Sequence, residues 1–278
     1  MAKKTEIILF FLDFALPLPI KFTNIVLFSM TTSDSIVIIP TYNEKENIEK
    51  IIRAINALDK QFHILVIDDG SPDGTAAIVK RLMQEEFAGG LFLLERPGKL
   101  GLGTAYILGF KWALQHDYEY IFEMDADFSH DPADLPRLYA ACHDDGYDLA
   151  IGSRYVSGVN VVNWPMGRVL MSYFASKYVR FITGMKVHDA TAGFVCYTRK
   201  VLESINLDKI RFKGYAFQIE MKFTAWTLGF RLKEVPIIFT DRTLGTSKMS
   251  GGIFTEAFLG VITMKIRSLF SKRNKKQQ

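Results

Sequence analysis

Acidic residues stand directly after two apolar runs of this 278-residue chain. Asp125 and Asp127 follow the run Tyr120–Phe122, and the segment Asp68–Ser71 follows a second run, Ile64–Ile67. Two carboxylates one residue apart, where a strand gives way to a loop, can reach the same divalent cation. If both runs are strands of one sheet, their ends form a pocket suited to a metal-bound diphosphate. That pairing indicates transfer of a sugar from a nucleotide.

The acidic residues also have interpretations that involve no ligand. Turn chemistry accounts for the segment Ser71–Gly74, although it explains Asp68 and Asp69 less well. Asp125 and Asp127 could be helix caps or solvated loop acids, but Asp131 and Asp134 already serve the next helix start. His130 is either a metal ligand or a polar residue at that helix start.

Three basic residues follow other strand-like runs. Arg154 lies in Gly-Ser-Arg-Tyr, and Arg242 and Lys248 flank the loop Thr-Leu-Gly-Thr-Ser-Lys. Arginine suits bidentate phosphate contacts, and lysine acts as a point charge. Each alone would read as a solvated surface charge, but together they indicate contacts to phosphates.

A glycine-rich segment, Lys99-Leu-Gly-Leu-Gly-Thr-Ala105, precedes a helical pattern. It resembles a phosphate loop but lacks the third glycine of the dinucleotide fingerprint, where this chain has Tyr106. It also lacks the Gly-Lys-Ser/Thr ending of a P-loop. We interpret it as a site of close backbone approach, which disfavours a nicotinamide oxidoreductase.

Strand and helix patterns alternate from residue 35 to residue 152. We predict strands at Ser35–Pro40, Phe62–Ile67, Leu91–Leu94, Tyr120–Met124 and Asp148–Gly152, and helices at Glu44–Leu58, Ala76–Glu85, Thr104–Gln115 and Pro132–Cys142. This alternation implies an α/β fold with a mainly parallel sheet covered by helices on both faces. Ligands of such sheets bind beyond the carboxyl ends of the strands, where both acidic motifs fall.

Composition is that of a globular protein, with 49% hydrophobic and 23% charged residues. The net charge of +4 comes from the last fourteen residues, which hold six basic residues and no acid. The remaining 28 basic and 30 acidic residues do not suggest nucleic-acid binding. Two cysteines, Cys142 and Cys196, cannot form a disulfide framework, so we expect a reducing, cytoplasmic setting.

Two later segments could meet a membrane. Met166–Ile182 is amphipathic, and either packs on the core or lies at an interface beside a lipid substrate. Ile253–Phe270 is apolar at helical spacing, too short in its uncharged part to span a bilayer, and followed by a basic tail. An apolar helix with a polybasic tail favours peripheral attachment to an anionic membrane, the alternative being a core helix with a solvated tail.

The chain divides into three parts in this interpretation. Residues 1–30 are expected to be a disordered or non-native extension, because two prolines interrupt their apolar run and Met30 offers another start. The alternative for this segment is a weak membrane anchor. Residues 31–249 form the α/β domain. Residues 250–278 form the amphipathic helix and basic tail.

Seven motifs carry a resemblance to a known family, and they run in order along the chain. They are Pro40-Thr-Tyr-Asn-Glu44, Asp68-Asp-Gly-Ser-Pro-Asp-Gly-Thr75, Asp125-Ala-Asp127, Gly152-Ser-Arg-Tyr155, Asp189-Ala-Thr-Ala-Gly-Phe194, Gln218-Ile-Glu220 and Arg242-Thr-Leu-Gly-Thr-Ser-Lys-Met249. Together they resemble the dolichol-phosphate mannosyltransferases (polyprenol monophosphomannose synthases). These are family-2 glycosyltransferases with a GT-A fold.

The resemblance implies inverting transfer of mannose from GDP-mannose to a polyprenyl (dolichyl) phosphate, with Mg²⁺ or Mn²⁺. By motif, the nucleoside would be held by Pro40, Tyr42, Glu44 and Asp69. Asp125, Ala126 and Asp127 would lie beside the diphosphate, and the two aspartates would also hold the metal. Phosphates would meet Arg154, Arg242 and Lys248, which with Asp127 are the catalytic candidates, and Gln218 and Glu220 would line the acceptor or sugar side. Some members have a glutamine where this chain has Ser129, so the third protein ligand stays open and water can substitute.

Two alternatives remain at this point. Within the class, the enzyme could be a polyprenyl-phosphate glucosyltransferase or another family-2 glycosyltransferase. From a different class, the chain could be a non-catalytic nucleotide-sugar-binding protein, against which the Asp125/Asp127 pair argues. The expected partners are therefore a nucleotide sugar, a polyprenyl phosphate and the cytoplasmic membrane surface, and no nucleic acid.

Overall fold

The computed structural model describes residues 32–241, 258 and 260–268. Their nine strands are β1 (Ser35–Thr41), β2 (His63–Asp68), β3 (Leu91–Glu95), β4 (Tyr120–Glu123), β5 (Leu149–Ser153), β6 (Val161–Val162), β7 (Val195–Thr198), β8 (Leu232–Pro236) and β9 (Phe239–Thr240). Seven of these form one sheet in the order β3-β2-β1-β4-β7-β5-β8. The short strands β6 and β9 pair separately.

Helices cover both faces of this sheet. They are α1 (Ile48–Asn56), α2 (Thr75–Glu85), α3 (Leu102–Gln115), α4 (Leu135–His143), α5 (Met166–Thr183), α6 (Arg199–Ser204) and α7 (Tyr215–Thr227). Residues 260–268 are also helical. Among the described residues, no helix combines the length and hydrophobicity needed to cross a bilayer.

The apolar sequence of the strands explains the layers. Along β1, Ile36 and Ile38 face one core while Val37 and Ile39 face the other, as the two-residue period of a strand requires. The first core includes α3 and α7, and the second includes α1, α2 and α4. A strand that is apolar on both faces therefore reads as a continuous apolar run.

The predicted mainly parallel α/β fold is confirmed, and the five predicted strands lie within one residue of their predicted ends. One strand of the large sheet runs against the others: β7 pairs antiparallel with both β4 and β5. Because β7 enters from the opposite direction, the segment before it, Asp189–Phe194, arrives at the edge where β4 and β5 end. The acidic strand ends and this segment therefore share one edge.

The first helix is shorter than its apolar spacing suggests. It begins at Ile48 and not at Glu44, because Asn43 has a positive φ of 55° and the Glu44 amide donates to the Thr75 hydroxyl. Residues 44–47 therefore belong to the loop that follows β1. That loop lies at the carboxyl edge of the sheet, where the other candidate residues also lie.

Candidate active site

Asp68 and Asp69, at the end of β2, make different contacts. Asp68 accepts hydrogen bonds from the Thr41 hydroxyl and from the amide and hydroxyl of Ser71, so it closes the turn. Asp69 accepts from the Arg96 guanidinium, with Nε at 2.6 Å from Oδ1. Burial nevertheless raises the pKa of Asp69. Asp69 is therefore the member of this pair that lies beside the Arg96 guanidinium.

The residues expected to hold a nucleoside lie on adjacent strand ends. Pro40 pairs in register with Ile67, and the next pair is Thr41 with Asp68. Tyr42 follows at once, and the Lys99 ammonium lies 3.9 Å from its ring centroid. The Glu44 carboxylate accepts from the side-chain amide of Asn47 at 2.9 Å, at the start of α1. An aromatic ring and acceptor-only carboxylates of this kind suit stacking and hydrogen bonding with a base and ribose.

Asp125 and Asp127 lie on the loop after β4, and both line one cavity. The Asp125 side chain is 40% exposed, whereas Asp127 is buried and accepts from the Ser129 amide at 3.1 Å. His130 is buried between them, and its Nδ1 accepts from the Asp125 amide at 3.4 Å. Burial lowers the pKa of His130 to about 4, so its ring is neutral at pH 7. His130 therefore orients the Asp125 backbone, stacked on Phe194 with 4.9 Å between ring centroids.

Arg154 is fixed by the segment that precedes β7. Its Nε and Nη2 each donate to a different oxygen of Asp189 at 2.6 Å, and its own amide donates to Asp189 at 3.0 Å. Nη2 also donates to the Thr191 hydroxyl. The rings of Trp164 and Phe239 lie 5.4 and 5.5 Å from the guanidinium carbon. Burial alone would raise the pKa of Asp189, but Arg154 holds that pKa below its ordinary value.

A buried ammonium lies beneath this edge. Lys222 of α7 has no exposed surface, and its Nζ donates to the Ala192 carbonyl and to both oxygens of Gln218. Glu123, at the end of β4, is equally buried, and its carboxyl group interacts electrostatically with Lys222. Burial raises the pKa of Glu123 to about 8 and lowers that of Lys222 to about 8.

A cavity of about 500 Å³ opens at this edge of the sheet. Its polar lining includes Asp125, Asp127, His130, Arg154, Arg168 and Gln218. Its apolar lining includes Met171, Phe174, Ala175, Tyr178, Phe258 and Val261. A single cavity therefore contains the Asp125 and Asp127 carboxylates, the Arg154 guanidinium and an apolar surface formed in part by α5.

The structure does not bring every predicted residue into this cavity. Glu220 lies in α7, and its carboxylate accepts from the amides of Arg211 and Phe212, so it shapes the preceding loop. Ala126 is buried in the core on the face of α1, α2 and α4. Arg242 and Lys248 lie outside the described residues.

Several residues of the site were not identified from sequence as functional. Asp189 lies in a motif in which it has no assigned role, and Arg96 and Lys222 lie in none of the seven motifs. No local sequence pattern marks any of the three as functional. Their partners lie 27 to 35 residues away along the chain, as with Arg96 and Asp69, Arg154 and Asp189, and Lys222 and Ala192.

The glycine-rich segment before α3 is a close packing contact, as its sequence suggested. The Gly103 amide donates to the Lys213 carbonyl at 2.8 Å. A Cβ at Gly103 would lie 2.7 Å from the Phe217 ring, so only glycine fits. This contact seats α3 against the start of α7.

A divalent cation fits the donor set of the polar lining. Asp125 and Asp127 present hard carboxylate oxygens to one cavity. Among the described residues, no group of three or more His, Cys, Asp or Glu could hold a metal. A cation at this pair would therefore need further oxygens from a substrate phosphate or from water, which is the usual environment of Mg²⁺.

Comparison with known proteins gives both a family and close relatives. The sequence profile of glycosyl transferase family 2 matches residues 36–205. A polyprenol monophosphomannose synthase from Mycolicibacterium smegmatis is 48% identical over 236 residues, covering 85% of this chain and 88% of the relative. An undecaprenyl-phosphate mannosyltransferase from Micrococcus luteus is 45% identical over 226 residues, covering 81% of this chain and 91% of the relative.

Solved structures share the fold at low sequence identity. A glucosyl-3-phosphoglycerate synthase from Mycobacterium tuberculosis, in complex with Mn²⁺, UDP and glucosyl-3-phosphoglycerate, superposes with a TM-score of 0.57 at 18% identity, covering 84% of this chain and 79% of that one. A mannosyltransferase from Pyrobaculum calidifontis, in complex with GDP-Man and Mn²⁺, gives 0.52 at 18% identity, covering 87% and 75%. The expected GT-A-like architecture is thereby confirmed.

Proposed function

The chain belongs to glycosyl transferase family 2, and we propose that it transfers mannose from GDP-mannose to a polyprenyl phosphate. The names of the two relatives support the sugar and the lipid class. The observation that carries the proposal is the composition of the cavity. Asp125, Asp127 and Arg154 line it together with apolar side chains. A polyprenyl phosphate has an anionic head and an apolar tail, so its binding site needs both the polar and the apolar lining of this cavity.

The donor would lie along the carboxyl edge of the sheet. Tyr42 and Asp69 would hold the nucleoside, and Asp125 and Asp127 would hold Mg²⁺ or Mn²⁺ beside the diphosphate. When bound, that cation supplies charge neutralisation of the leaving diphosphate. Gln218 lines the same cavity and would lie beside the sugar.

The acceptor needs little activation. A phosphate monoester has a second pKa of about 6 and is already anionic at neutral pH, so no dedicated base is required. His130, neutral and buried, is bound to the Asp125 amide and orients that residue. The residues of this site therefore bind, orient and balance charge, with Arg154 as a cation of the cavity wall and Arg242 and Lys248 proposed to assist it.

Attachment to the cytoplasmic membrane surface is part of the proposal. The outer side of α5 exposes Met166, Leu170, Phe174 and Phe181, the last of them 87% exposed. Tyr178 of the same helix stacks on Phe258, with 4.5 Å between ring centroids, and its hydroxyl donates to the Phe258 carbonyl. These exposed residues adjoin the apolar lining of the cavity, so a lipid tail could pass between bilayer and site.

We expect the double substitution Met166→Glu/Phe181→Glu to reduce binding to anionic vesicles by about tenfold or more, since each side chain would lose its burial in lipid. Neither residue lines the cavity, so turnover of a short, detergent-dispersed acceptor should persist. Leu228→Glu, at another exposed apolar position that closes α7, is the matched control. Vesicle sedimentation measures binding, and unchanged binding of the double variant would remove α5 from the proposal.

The donor assignment is tested by competition between nucleotide sugars. Purified protein is given a short polyprenyl phosphate, Mg²⁺ and either labelled GDP-mannose or labelled UDP-glucose, with EDTA as the metal control. Label should enter the lipid phase from GDP-mannose and only with metal. Label from UDP-glucose instead would keep the metal site and reaction class but replace the sugar.

A further inference from the structure

Lys222 is a buried basic residue to which the proposed reaction assigns no role. It has no exposed surface, and an ammonium in such a place is rarely retained without a reason. Its Nζ lies 2.6 Å from the Ala192 carbonyl, 3.2 Å from the Gln218 carbonyl and 3.1 Å from Gln218 Oε1. All three of its donors are therefore used within the protein.

The groups that Lys222 binds belong to two different walls of the cavity. Gln218 comes from α7, while Ala192 comes from the segment before β7, and both line the cavity. That same segment carries Asp189 and Thr191, which hold Arg154. One ammonium therefore ties the helix with Gln218 to the segment with the Arg154 clamp.

Glu123 completes the arrangement from a third element. It lies at the end of β4, two residues before Asp125, and is fully buried. Within the described part of the chain, neither of its carboxyl oxygens forms a hydrogen bond of regular geometry, nor does Gln218 Nε2, which faces it. The hydrogen bond that holds the Gln218 side chain is therefore the one that its Oε1 accepts from Lys222.

We propose that Lys222 is a positioning residue that ties Gln218 to the Ala192 carbonyl and so holds Gln218 in one orientation in the cavity wall, where it meets the transferred sugar. The inference rests on the proposed mannosyl transfer and names the residue that orders its sugar side. Lys222 does not touch substrate, because it does not line the cavity. Its effect on the reaction must pass through Gln218.

The test removes both buried ionisable groups at once, because Lys222→Met alone would leave the Glu123 carboxyl group buried without the ammonium that interacts with it and could prevent folding. In Glu123→Met/Lys222→Met, apolar side chains of similar volume replace the pair, a change that buried ion pairs often tolerate. We expect a melting temperature near that of wild type. We also expect kcat to fall by about 10- to 100-fold, the scale of a small misplacement of reacting groups, with the KM for GDP-mannose changing less.

A double-mutant cycle with Gln218→Ala separates positioning from general packing. If Lys222 acts through Gln218, adding Gln218→Ala to the double variant should cost no more than about twofold further in kcat. Multiplied losses, or wild-type kcat in the well-folded double variant, would overturn the inference while leaving mannosyl transfer in place. A wild-type protein without mannosyl transfer would overturn the proposed function and this inference with it.

Discussion

Replacing Asp127 by asparagine should lower kcat for mannosyl transfer by about 10²- to 10³-fold, the scale seen when one charge-stabilising group is lost from an active site. Asparagine keeps an oxygen that can accept from the Ser129 amide, so the loop should hold its shape. It loses the negative charge that a hard dication requires. The change thus removes metal binding at the diphosphate without removing the fold. Initial rates at saturating donor and acceptor, over a series of Mg²⁺ and Mn²⁺ concentrations, measure this.

Asp131→Asn is the matched control for that substitution. Asp131 is an exposed aspartate four residues further on, it does not line the cavity, and its carboxylate caps the Ala133 amide. Asparagine caps helices equally well, so this variant should keep wild-type rates. Equal rates for Asp127→Asn and wild type would exclude Asp127 from the metal site.

Replacing Asp189 by leucine should lower the free energy of unfolding by about 3–5 kcal/mol, the cost of leaving one member of a buried ion pair alone. The Asp189 side chain is 0% exposed and that of Arg154 is 10% exposed, so solvent screens this pair little. The guanidinium would lose two hydrogen bonds of 2.6 Å and also the group that fixes its direction. Urea unfolding measures the stability, and the transfer assay on the folded fraction measures the loss of Arg154 positioning.

The companion variant Arg154→Met/Asp189→Leu separates stability from catalysis. Removing both charges should restore most of the stability, since neither is left buried alone. Transfer should stay low, because the cavity would lack the Arg154 guanidinium. If transfer recovers together with stability, Arg154 has only a structural role.

Acid should weaken the wild-type protein through the same pair. Because the folded-state pKa of Asp189 is depressed, its stabilising contribution is complete above the unfolded-state pKa of about 3.9 and is lost as pH falls through the lower folded-state value. Asp189→Leu should therefore flatten the fall of stability at low pH. An unchanged acid-unfolding profile in that variant would contradict the depressed pKa.

The strand ends that carry Asp69 and Asp125 could be predicted from sequence because their signal is local. An apolar β-branched run ended by acids or proline defines a buried strand over five or six residues, and the carboxyl edge of a parallel sheet then follows. The antiparallel strand β7 could not be predicted in this way. Its direction depends on which neighbours it joins, and nothing in Val195–Thr198 records that.

The side-chain pairs of the site could not be predicted from the sequence either, because they too depend on which residues the fold brings together. Asp69 looked like a free acceptor, but Arg96 binds it from the end of β3. Glu220 looked like a cavity residue beside Gln218, yet adjacent helical positions point about 100° apart and two positions apart about 200°. Gln218 therefore faces the cavity, while Glu220 turns to the loop at Arg211 and Phe212.

The amphipathic segment 166–182 had two interpretations, and the structure contains features of both. Val179 and Ser176 are buried against the protein, while Phe174 and Phe181 are exposed on the other side. Sequence periodicity identifies the two faces of a helix, but it does not show whether the exposed face contacts water or lipid. The membrane assignment of α5 stays a prediction for the vesicle experiment.

The most direct test of the whole account is the lipid product itself. Wild-type protein is incubated with GDP-mannose, a short polyprenyl phosphate and Mg²⁺ or Mn²⁺, and the lipid phase is analysed by mass spectrometry. The account predicts a polyprenyl phosphate that has gained one hexose, formed only with the divalent cation and absent with Asp127→Asn. A folded protein that binds GDP-mannose and metal but leaves the polyprenyl phosphate unchanged would contradict it.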